Sequence, residues 1–85
     1  HPARPLLVVE VAETSLAKDR GIKARLYAEC GVPEYWIVNV AKRALEVYTQ
    51  PVAGKYESIR VFAPGEIARP EAFPEVEVPV AVLFG

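Results

Sequence analysis

The sequence predicts an α/β (α+β) domain in which a strand-helix-strand unit is followed by an antiparallel hairpin on the same mixed sheet. Three observations predict it. Two β-rich apolar runs, Leu6 to Val11 and Glu34 to Val40, flank a segment with apolar residues at helical spacing. Strong stop signals close that segment. Downstream, two stretches alternate apolar and polar residues, as half-exposed strands do.

The elements follow in order. Leu6-Leu7-Val8-Val9-Glu10-Val11 is apolar and β-branched behind Pro5, a residue suited to a strand entry and not to its centre. With apolar residues in both phases, it reads as a central strand covered on both faces. Ala12 to Ala17 reads as a loop with Thr14 and Ser15 as capping residues. A helix is expected from about Lys18 to Cys30, with Ile22, Leu26 and Cys30 as its buried stripe. Asp19 in the first turn complements the helix dipole. Gly31 is the expected C′ residue and Pro33 bars continuation.

Glu34 to Val40 supplies the second strand, and a βαβ connection pairs it in parallel with the first. Tyr35 and Trp36, adjacent on a strand, should face opposite sides. Leu45 to Thr49 and Tyr56 to Phe62 then pair antiparallel, entered through the turn at Ala41-Lys42-Arg43 and separated by Gly54. The proline-rich tail carries a short strand near Ile67 and an apolar turn from Val80 to Phe84.

Composition narrows the function. An apolar fraction of 52% with 25% charged residues is that of a globular chain and excludes a disordered one. Ten basic against eleven acidic residues give a net charge of −1. No basic field advertises nucleic acid, so any DNA binding must rest on local groups or a bound cation. The single Cys30 excludes a disulfide framework, and no apolar run reaches the length of a membrane span. A cytoplasmic protein is the default. The chain begins at His1 and contains no methionine, which reads as a fragment or processed product. Its small core is expected to lean on further chain or on a second copy.

The candidate chemistry lies at the carboxyl end of the first strand. Glu10 is a carboxylate in an apolar run, costly there unless it has a partner, a metal or a solvated strand end. Open α/β sheets place their crevices at that end. Lys23, near the helix start, can present a cation to Glu10, and Tyr27 shares its face at i+4. A solvated Asp19–Lys23 pair on the helix surface is the plainer alternative, and Lys18 competes for the role. Glu13 and Glu34 read as exposed loop carboxylates, although Glu13 could add a metal ligand. Cys30 reads as a small buried hydrophobe, and His1 has no assigned role. There is no zinc spacing, no phosphate-cradling glycine loop and no Ser-His-Asp set.

The combined pattern is more specific than any single residue. Pro5-Leu6-Leu7-Val8-Val9-Glu10-Val11, then Asp19, Lys23 and Tyr27, then Gly31-Val32-Pro33-Glu34-Tyr35-Trp36-Ile37-Val38, resembles the Uma2 family of restriction-endonuclease-like proteins. Leu45-Glu46-Val47-Tyr48 and Gly54-Lys55-Tyr56 fit the same family. The resemblance implies a restriction-endonuclease-like mixed sheet of the PD-(D/E)XK nuclease type. It also implies a metal-dependent endonuclease site that hydrolyses DNA with Mg²⁺ or Mn²⁺. Such sites use an Asp from an upstream strand, a Glu from the next strand, and a Lys. Glu10 matches the strand acid, as catalytic residue and metal ligand, and the carbonyl of Val11 would be the neighbouring ligand. Ala12 stands where the simplest motif has its lysine, so the resemblance assigns that role to Lys23.

The upstream acid would lie before residue 1. The expectation is therefore one domain over 1–85 that forms the C-terminal part of a nuclease-like fold. The loop Ala12-Glu13-Thr14-Ser15 departs from the Ser-Pro-Ser-like stretch usual in the family. The competing expectation is a nuclease-like scaffold that binds or assembles without turnover. Exposed strand edges also point to a homo-oligomer.

Overall fold

The computed structural model describes residues 4–85, and His1 lies outside them. Strand β1 (Val8–Ala12) pairs in parallel with β2 (Glu34–Asn39), with Glu10 opposite Ile37. Strand β3 (Ala44–Val52) runs antiparallel to β2, and β4 (Lys55–Phe62) antiparallel to β3. The sheet order is β1-β2-β3-β4, so the predicted strand-helix-strand unit and hairpin form one mixed sheet. A second small sheet pairs β5 (Ile67–Ala68) with β6 (Val78–Pro79), and a 3₁₀ turn, Val80–Phe84, follows.

The β3–β4 connection has a specific local cause. Val52 pairs with Lys55, leaving a two-residue loop of Ala53 and Gly54, both at positive φ (51° and 80°). That is a type I′ turn, whose twist matches the strands it joins. Pro51 lies beyond the last β2–β3 pair, Glu34 with Thr49, where its missing N–H costs no ladder bond to β2.

One helical strap crosses the sheet from β1 to β2. It runs as α1 (Leu16–Lys18), a π-helical stretch (Asp19–Lys23) and α2 (Ala24–Glu29). It starts two residues before the expected Lys18, and a π segment replaces the regular first turns. Gly31, at φ 74°, closes the helix as predicted, and its N–H reaches the carbonyl of Ala28.

Two clusters hold the sheet. On the helix face, Ala12, Ala24, Ala28, Tyr35, Ile37, Tyr48 and Tyr56 pack together. Ala24 and Ala28 let the helix approach closely, and the sheet supplies the bulk through its tyrosines. Tyr35 stands between Tyr27, Tyr48 and Tyr56 at ring separations of 4.9, 5.5 and 6.2 Å. Aromatic pairs at such distances add about 0.5–1.5 kcal/mol beyond area burial. On the opposite face, Trp36, Val38, Leu45 and Val47 pack under Ala68 and Val80 of the tail. Tyr35 and Trp36 thus face opposite sides, as strand alternation requires.

Three expectations are corrected. Strand β1 is not central among the described residues: it is the sheet's edge, and Val9 and Val11 are 47% and 61% exposed on the face away from the helix. The stripe Ile22, Leu26 and Cys30 points outward, with Ile22 73% exposed and Cys30 also exposed. Its 3.6-residue period is real, but the inner face is made of alanines and of polar groups aimed at the sheet. Glu34 is not a loop carboxylate but a buried strand residue, accepting bonds from Trp36 Nε1 and the backbone N–H of Glu71, both at 2.8 Å. It ties the tail to the sheet.

Candidate active site

Glu10 and Glu46 stand in one row across the helix face of the sheet, separated by Ile37, because β1 and β3 both pair with β2 at that residue. The helical strap sends one cation to each. Lys23 Nζ lies 3.5 Å from Glu10 Oε1, and Arg20 pairs with Glu46 through both its Nε and Nη2.

The first cluster gathers Glu10, the middle residue of β1, with Asp19, Lys23, Tyr27 and Ser15, and the expectation that Glu10 stands near the strand's end is corrected to that extent. Tyr27 Oη donates to Glu10 Oε2 at 2.7 Å. Lys23 Nζ also lies 3.1 Å from Asp19 Oδ1, and Ser15 Oγ donates to Asp19 Oδ2 at 3.0 Å. Tyr35 Oη donates to the Asp19 carbonyl at 3.0 Å. Asp19 is only 1% exposed, so it is not the solvated partner that a surface ion pair implies. Its Oδ1 receives no well-aligned hydrogen bond and is balanced by the Lys23 charge alone. The π stretch carries Asp19 and Lys23 at its two ends, a placement consistent with the frequent occurrence of π segments at functional sites.

Electrostatics follow from these contacts. The close contact with the Asp19 carboxylate and the nearby Glu10 charge hold the Lys23 ammonium above the ordinary lysine pKa, against some desolvation. Lys23 in this setting is a fixed cation. The bond to Glu10 and partial burial raise the Tyr27 phenol, so it stays protonated as a donor. Tyr35 is raised strongly, by burial first and then by the Asp19 and Glu10 charges.

The second cluster is more enclosed. Burial pushes the Glu46 carboxyl up. Hydrogen bonds from Arg20, from Tyr48 Oη at 2.9 Å and from Asn39 Nδ2 at 3.4 Å outweigh it and lower the pKa below its ordinary value. Glu46 and Arg20 do not stand out in the sequence, where Glu46 is one polar residue of an alternating strand. The register signal was available: antiparallel pairing through Ile37 brings Glu46 into the Glu10 row.

Of the residues expected at the site, Glu10, Asp19, Lys23 and Tyr27 are brought together. Lys18 and Glu13 are exposed and join no ion pair among the described residues. Val11 turns its side chain outward. The Ala12 carbonyl accepts from Val40 N–H on the β2 side, so alternation of strand carbonyls turns that of Val11 toward the open edge.

Among the described residues, no group of three or more His, Cys, Asp or Glu side chains is placed to hold a metal ion. The Glu10 carboxylate and Val11 carbonyl are hard oxygen donors of the kind Mg²⁺ and Mn²⁺ take. Lys23 occupies the space between Glu10 and Asp19. The chemistry of these donors suits a hard divalent ion, and with Lys23 in place they supply one side of its shell at most.

Compared with known proteins, residues 1–81 match the model of a family described as Uma2, putative restriction endonuclease. No curated protein and no solved structure matches. No helix among the described residues is long and apolar enough to cross a membrane.

Proposed function

We propose, from the premise that this chain belongs to the Uma2 family, that it carries part of a metal-dependent endonuclease site hydrolysing DNA phosphodiester bonds. The observation that supports this most is the Lys23 ammonium held 3.5 Å from Glu10 on the helix face of β1. Glu10, with the Val11 carbonyl, would hold Mg²⁺ or Mn²⁺. The ion, when bound, would supply charge neutralisation at the phosphate and a more acidic water.

The chain's own residues do the rest. Tyr27 donates to one Glu10 oxygen and leaves the other to Lys23 and to the open edge. Asp19, fixed by Ser15 and Tyr35, anchors Lys23, so the ammonium is already placed before a phosphodiester arrives. A preplaced cation stabilises charge that develops on the phosphate oxygens. The further acid that a divalent centre needs would come from chain outside these residues, with 1–85 as the C-terminal part of the fold. DNA as substrate, a cytoplasmic setting and a homo-oligomeric working state belong to the same reading.

Cleavage of duplex DNA by the intact protein in Mg²⁺ tests it. Glu10→Ala should abolish the cleavage, and Lys23→Ala should slow it by about 10²-fold or more, the usual cost of losing a charge-stabilising donor. Cleavage that survives Glu10→Ala would retire the assignment. A second reading, a nuclease-like scaffold without turnover, is favoured by one observation: Lys23 already pairs with both carboxylates near it and stands where a metal ion would have to share them.

A further inference from the structure

One cation serves two carboxylates in the Glu10 cluster, and its two contacts are unequal. Lys23 Nζ stands 3.1 Å from Asp19 Oδ1 and 3.5 Å from Glu10 Oε1. Asp19 is fixed in place: its side chain is 1% exposed, Ser15 bonds Oδ2, and Oδ1 takes no hydrogen bond. Glu10 is held on one side only. Tyr27 bonds its Oε2, and among the described residues the ammonium alone approaches Oε1.

Glu46, in the same row of the sheet, is held differently. Each of its oxygens takes two donors, Oε1 from Arg20 Nε and Tyr48 Oη, and Oε2 from Arg20 Nη2 and Asn39 Nδ2. A planar guanidinium grips a carboxylate through two bonds, whereas an ammonium on a flexible stem is a point charge that can swing. The Lys23 side chain is 35% exposed, so it has room to do so.

We propose that Lys23 is an internal counter-ion which a divalent metal displaces from Glu10, with Asp19 as the berth to which the ammonium withdraws. The inference rests on the reading of Glu10 as a metal ligand, and adds what sets the affinity of that site. A divalent ion and an ammonium repel strongly at contact distance, so they do not share Glu10 Oε1. Lys23 gives up its looser contact and keeps the closer one. Asp19, buried and short of a donor, would be a costly unpaired anion without it. Lys23 therefore covers the empty site and stays beside the filled one. The apparent metal affinity is lowered by the fraction of molecules in which Lys23 covers Glu10.

Calorimetric titration of the intact protein with Mn²⁺ tests it. Lys23→Met keeps the stem without the charge and should bind Mn²⁺ about tenfold more tightly, as when the ammonium covers Glu10 in about nine molecules of ten. Asp19→Asn should weaken binding, because Lys23 loses its berth. The double variant Lys23→Met with Asp19→Asn removes one charge of each sign, yet should still bind more tightly than the native protein. That result separates displacement from a change in net charge. A Mg²⁺ titration of the native protein followed by nuclear magnetic resonance should shift the Lys23 ammonium signal in step with occupancy. If Glu10→Ala loses the ion but Lys23→Met binds no more tightly, the displacement is overturned and the metal reading stands. An unmoved Lys23 signal at saturating Mg²⁺, or a double variant no tighter than native, would overturn it too. Binding by none of these proteins, or equal binding by all of them including Glu10→Ala, would remove both readings.

Discussion

Two carboxylates set the chemistry of the helix face, and their partners differ in consequence. Glu10 is reached by Lys23 on the half-open edge strand, whereas Glu46 is enclosed by Arg20, Tyr48 and Asn39. The Glu46 pKa lies lower in the folded chain than its ordinary value. A group depressed on folding contributes stability above its unfolded pKa and loses it as pH falls through the folded value. Acid unfolding should therefore begin as pH drops below the ordinary carboxylate range. Glu46→Gln should remove part of that slope and cost about 1–3 kcal/mol at neutral pH, read from urea melts at several pH values. An unchanged pH slope would mean that Glu46 is not the group responsible. Tyr35→Phe offers a second test at this scale. It deletes the bond to the Asp19 carbonyl while keeping the ring, and should cost about 1 kcal/mol in the same melts.

At the scale of elements, two glycines make opposite predictions. Gly21 lies in the π stretch with open space around it, so Gly21→Ala should stabilise the isolated chain by about 0.5–1 kcal/mol through lost unfolded-state entropy. Gly54 holds φ 80° in the β3–β4 turn, and a Cβ there would approach Glu29 Cγ to 3.1 Å. Gly54→Ala should destabilise by about 1–2 kcal/mol, from left-handed strain plus that contact. Thermal melts of the two variants should therefore shift in opposite directions. Most element boundaries were legible in the sequence because turn chemistry wrote them plainly: Gly31-Val32-Pro33 ended the helix and Gly54 marked the hairpin. The π stretch was not legible, since no residue in Asp19 to Lys23 signals a wider turn. The phase of the helix was misread for a related reason. Periodicity reports that a stripe exists but not which stripe faces inward. Here two alanines against three sheet tyrosines make the better core.

At the scale of the molecule, parallel pairing of β1 with β2 and the helical strap across them bring Glu10 and Lys23 together from distant positions in the sequence. That juxtaposition was legible from the order of elements, because the helix of a βαβ unit starts beside the end of its first strand. The coverage of β1 was not. A run such as Val8-Val9-Glu10-Val11 looks equally apolar whether its second face is buried or bare, and among the described residues Val9 and Val11 are bare. Glu46 escaped notice because its importance depends on cross-strand register, which single-strand patterns do not carry.

In the function proposed for this chain, Glu10 is a metal-binding acid served by Lys23. Mn²⁺ titration of the intact protein by calorimetry, beside its Glu10→Ala variant, tests it most directly. A saturable Mn²⁺ site is expected in the native protein and should be lost in Glu10→Ala. Equal binding in both proteins, or binding in neither, would contradict it and leave the scaffold reading in its place.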